Sequence, residues 1–130
     1  MSTLEFRTLY WPQAEVLVMR AICIQFQPER AADLNPIAVA ELLKLVGSNE
    51  RLVSQVQVTE GDDGSYINAT YSTTVPASVW AAVCEQTLEH AVLGPAFRRS
   101  VIVTCTGDSG WDDYRLLHHF DETQPLDGLT

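Results

Sequence analysis

The stretch TGDSGWDDYRLLHHF, residues 106–120, gathers most of the residue types with which this chain could do chemistry. Ser109, inside Gly107-Asp108-Ser109-Gly110, has the flanks of either a nucleophilic serine loop or a tight turn. A serine nucleophile needs a histidine base within hydrogen-bond reach and an oxyanion hole. A Gly-bounded Asp-Ser between two alternating segments is what a hairpin turn requires. Ser109 is therefore read as a turn residue, and no catalytic residue is assigned.

His118 and His119 are adjacent on a predicted strand, so their side chains point to opposite faces and cannot share a metal ion unless the strand breaks. His90 falls on a separate predicted helix, and no close Cys or His spacing accompanies it. The expectation is no metal and no cofactor. Asp62, Asp63, Asp108, Asp112 and Asp113 could offer oxygen ligands to Ca²⁺, but neither loop has the spaced acids and closing Glu of an EF-hand, so both are read as solvated turns. Arg98-Arg99 could hold an anion or a partner's carboxylate, or could complement a helix dipole.

These side chains need elements to position them. VLVMRAICIQF, residues 16–26, is apolar on both alternating faces and belongs in the middle of a sheet. Its one charge, Arg20, either snorkels or meets a carboxylate. LEFRTLYWP before it reads as an edge strand. Asn35-Pro36 caps and opens a helix over IAVAELLKLV that Gly47 closes, with only Glu41 and Lys44 expected to face outward. RLVSQVQVTE and SYINATYSTTV form a hairpin around Gly61-Asp62-Asp63-Gly64. Pro76 starts a second helix whose core stripe is Val79, Trp80, Val83, Cys84, Leu88, Ala91 and Val92, ended by Gly94-Pro95. VIVTCT and WDDYRLLHHF make a second hairpin.

Hairpins separated by single helices predict an α+β domain: an antiparallel sheet of five or six strands with two helices packed on one face, in the ferredoxin-like order (β)βαββαββ. At 130 residues the chain fits one domain, taken as residues 1–122 with a polar C-terminal tail at 123–130.

Seventeen Asp and Glu oppose eight Lys and Arg, a net charge of −9, with Lys44 as the single lysine. That balance repels phosphate backbones and disfavours nucleic-acid binding. Cys23, Cys84 and Cys105 are odd in number and sit in apolar segments, so they read as reduced core residues in a cytoplasmic protein. No window is long and apolar enough for a membrane span.

No segment resembles a family motif closely enough to name one. The leading expectation is a non-enzymatic, acidic protein-binding domain of the inhibitor or immunity-protein type that covers a basic surface of a target protein. Its partner-binding residues would be Asp108, Trp111, Asp112, Asp113 and Tyr114 in the second hairpin and Asp62 and Asp63 in the first. The alternative is a homodimeric small-molecule-binding or small-substrate enzyme domain with a pocket near Trp111, Tyr114 and His118, in which Tyr71 and Arg20 also take part.

Overall fold

The computed structural model describes residues 18–129. The edge strand expected over LEFRTLYWP lies outside them. The central strand is β1, Arg20–Phe26, which pairs antiparallel with β3 (Ile67–Thr73) on one side and β4 (Val101–Gly107) on the other. With β2 (Gln55–Glu60) and β5 (Gly110–His118) at the edges, the five-stranded antiparallel sheet has the order β2-β3-β1-β4-β5.

The apolar run at 20–26 occupies the sheet centre as expected, but its alternate residues meet a core on one face only. Ile22, Ile24 and Phe26 are buried, and the register aligns them with Ile67, Ala69 and Tyr71 and with Val101, Val103 and Cys105, all buried too. The intervening Cys23 and Gln25, with Asn68, Thr70 and Thr104 beside them, are half-buried. Hydrophobic burial thus concentrates on one face and leaves the other polar and partly open.

Helix α1, Pro36–Val46, forms where its capping residues predict. Asn35 Oδ1 accepts from the amides of Ile37 (2.9 Å) and Ala38 (3.3 Å), Pro36 opens the first turn, and Gly47 caps the end. Val39, Ala40, Leu43 and Val46 face the core, and the buried Tyr71 hydroxyl donates to the Leu43 carbonyl at 2.6 Å. The expectation that only Glu41 and Lys44 face outward is corrected: Ile37 and Leu45 are 74% and 64% exposed. Residues 37, 41 and 45 share one line at four-residue spacing, opposite the single side that packs.

The second predicted helix divides, giving three helices in place of two. Helix α2 spans Pro76–Val83 and runs into a π-turn at Cys84–Leu88, whose closing bond goes from the Glu89 amide to the Cys84 carbonyl at 2.8 Å. The Thr87 hydroxyl takes the Val83 carbonyl at 2.6 Å, competing with the regular ladder. Val79, Val83 and Leu88 are core as expected, whereas Trp80 is half-buried, Ala91 is exposed and Val92 is 78% exposed. Gly94-Pro95 begins a short helix, α3 (Gly94–Arg98), instead of ending a long one, since proline suits a first turn as well as the residues after a last. Phe97 on α3 is fully buried, its ring edge-on to Phe26 at 6.3 Å.

Candidate interaction site

The β4–β5 turn is built from Asp108 and Ser109, with Gly107 and Gly110 paired across it. Gly110 has φ +74° while no non-glycine residue among those described has positive φ. The turn therefore closes through a left-handed glycine after two residues of negative φ. Gly107 is needed for a different reason: a Cβ there would collide with the Asp113 carbonyl oxygen. The Asp113 carboxylate accepts from the Ser109 amide at 2.8 Å, which folds the chain after Gly110 back over the turn.

This close approach displaces a short segment from the ladder. Gly107 pairs with Gly110, and the next pair is Cys105 with Arg115, so Trp111, Asp112, Asp113 and Tyr114 stand opposite Thr106 alone. The result is a bulge on an edge strand, a place where side chains are re-aimed outward. Trp111 is 49% exposed and Tyr114 54% exposed, with the exposed Asp112 between them. Farther along β5 the outer edge is covered: Asp127 accepts from the Leu116 amide (2.8 Å) and its own amide donates to the Leu116 carbonyl (2.7 Å).

The sequence-predicted site residues fall into two groups. Asp108, Trp111, Asp112, Asp113 and Tyr114 come together at the end of the sheet where Arg20 begins β1. Asp62 and Asp63 lie in the β2–β3 loop, at the opposite end, where Phe26 pairs with Ile67. A seven-residue strand separates these ends by about 20 Å. Within the first group, Arg20 ion-pairs with Asp108 at 2.8 Å and donates to the Thr106 carbonyl at 3.0 Å, so the lone charge of β1 meets a carboxylate. A hydrogen bond from the Ser65 side chain, with the Ser65 amide donating at 3.0 Å beside it, holds the Asp63 carboxyl below the usual range.

The histidines gather elsewhere. His118 ends β5, and its Nε2 lies 3.0 Å from the Arg98 carbonyl; burial keeps its imidazole below the ordinary value. The strand stops there, and His118 and His119 both line one cleft of about 280 Å³, with Arg98, Arg99 and Phe120. The Arg30 guanidinium stacks 3.6 Å from the Phe120 ring, a contact between distant segments that carries no sequence signal. Arg98 donates to the Leu88 carbonyl and Arg99 ion-pairs with Asp33 at 2.6 Å, so both arginines tie α3 to its surroundings. Ser109 and Trp111 sit at the other end of β5 from this cleft.

The thiols are not activated. Burial pushes Cys23 and Cys105 up, and burial with the Glu89 charge raises Cys84 to about 11. Among the described residues no three His, Cys, Asp or Glu side chains converge as a metal site, and no helix is long and apolar enough to cross a membrane.

No family model matches the sequence, and no curated protein matches it. Among solved structures the chain is similar to that of Rv0793 from Mycobacterium tuberculosis, at 16% identity and a TM-score of 0.40, covering 87% of this chain and all of that one.

Proposed function

We propose that this is an acidic protein-binding domain of the inhibitor or immunity-protein type, docking on a basic surface of a target through the β5 bulge. The observation that carries the proposal is the pair Trp111 and Tyr114, about half exposed on an edge strand around Asp112. Exposed aromatics suit the centre of a protein interface, and a surrounding negative field speeds encounter with a basic partner. The net charge of −9 supports the same polarity of partner. Asp112 and Tyr114 contribute directly, whereas Asp108 and Asp113 shape the turn through Arg20 and Ser109. Asp62 and Asp63 would touch the same partner only if its footprint spanned the sheet. The scaffold fits a ferredoxin-like domain: β2-β3-β1-β4 is the order of a split βαβ pair, with β5 added at the edge and the helices assigned to the face holding Ile22 and Tyr71. Capture of one basic protein from lysate of the native host at low salt, and its release at high salt, is the expected result; capture indifferent to salt would remove the electrostatic basis.

A second proposal, a homodimeric ligand-binding domain, is favoured by the open sheet face. Asn68 Oδ1 is buried there without a hydrogen-bond partner among the described residues, and a buried acceptor is costly to leave unpaired. Sedimentation of a dimer at micromolar concentration would support it; a monomer throughout would count against it.

A further inference from the structure

At the Arg20 end of the sheet a cavity of about 160 Å³ opens between the strands and the start of α2. It is lined by Arg20 and Arg115, by Thr106 and Asp108, and by Pro76, Cys105 and Leu129. The strand register explains why both arginines reach it. Arg115 pairs with Cys105, Cys105 pairs with Ile22, and Arg20 lies two residues before Ile22, so all share one sheet face across three neighbouring strands. The charges of both guanidiniums also reach the Cys105 thiol, where they oppose the upward push of burial.

Two like charges converging on one partly enclosed space repel each other unless an anion sits between them. Among the described residues only one carboxylate approaches: Asp108 pairs with Arg20, whereas none comes within ion-pair distance of Arg115. Asp108 is 82% exposed against 25% for Arg20, so it lines the solvent side of the cavity. An exposed pair of this kind contributes little and yields readily to a better-placed anion.

We propose that this cavity is a binding site for a small organic carboxylate, its oxygens held by Arg20 and Arg115 and its short apolar body against Pro76, Leu129 and Cys105. Planar guanidinium forks match carboxylate geometry. The space equals about five water volumes, room for a carboxylate with a chain of a few carbons, and Pro76 and Leu129 offer such a body an apolar contact that a bare phosphate would not use. Asp108 is then an internal competitor, standing in for the ligand's carboxylate on Arg20. The site faces the core side of β5 and does not use Trp111 or Tyr114, although it shares Asp108 with the turn that presents them.

Calorimetric titration of the full chain with butyrate, and separately with inorganic phosphate, tests this. Saturable butyrate binding is expected, weakened at least ten-fold by Arg115→Gln and partly retained by Arg115→Lys. Asp108→Asn is the second variant; it changes a highly exposed residue and should tighten butyrate binding several-fold by freeing Arg20. Absence of saturable butyrate binding, equal binding by Arg115→Gln, or no gain from Asp108→Asn would overturn the site. Saturation by phosphate with no response to butyrate would overturn the carboxylate assignment.

Discussion

Gly107 and Ser109 sit two residues apart in the same turn and respond to substitution in opposite ways. A methyl at Gly107 collides with the Asp113 backbone, so Gly107→Ala should destabilise at or beyond the upper end of the ~1–3 kcal/mol typical of overpacking. Ser109→Ala should change stability by no more than about 0.5 kcal/mol, since only the Ser109 backbone amide is engaged. Urea midpoints of the two variants check both, and a Ser109→Ala variant that folds normally yet loses function would contradict the turn assignment. At the other end of β5, His118 makes stability depend on pH. Its unfolded imidazole takes a proton near 6.5, but desolvation makes the folded one take it only at lower pH. Between those values the unfolded state binds more protons, so stability must fall as pH drops through about 6.5 toward the folded pKa. His118→Gln should flatten the melting temperature over that window. The bonded carboxylates of Asp33, Asp63 and Asp121, all held below the usual carboxylate range by their hydrogen bonds, act only in more acid solution.

Elements whose signals are local were legible in the sequence. Asn35 capping Pro36–Val46, the alternation of β1 and the glycine-bounded turn at Asp108-Ser109 depend on neighbours a few residues away. The break at Cys84–Leu88 was not legible, because a threonine on an apolar stripe reads as one more core position until its hydroxyl is seen on the Val83 carbonyl. Gly94-Pro95 is equally compatible with a helix end and a helix start. Nor could local pattern bring Arg20 to Asp108, 88 residues away, or place the two acidic turns at opposite ends of β1. The join between α1 and the sheet offers a test at this scale. Tyr71→Phe removes the donor to the Leu43 carbonyl and leaves a buried acceptor unpaired, so a loss of about 1–3 kcal/mol should appear in chemical denaturation. An unchanged midpoint would mean that α1 does not depend on this anchor.

At the scale of the whole molecule, negative charge is widespread, and among the described residues exposed aromatic surface is concentrated at the β5 bulge; the two together define the proposed docking edge. Ile37 and Leu45 are also exposed, but they flank Glu41 on a helix whose inner side is already packed. The most direct measurement is a parallel capture from native-host lysate by three immobilised baits: the wild-type chain, Trp111→Ala, and Asp112→Asn. It should be run at low ionic strength, where charges act over about 30 Å, and near 1 M salt, where they act over about 3 Å. The wild type is expected to retain one basic protein at low salt and release it at high salt, Trp111→Ala to lose it in both, and Asp112→Asn to bind it more slowly with a shallower salt dependence. Equal retention by all three baits would contradict the docking edge.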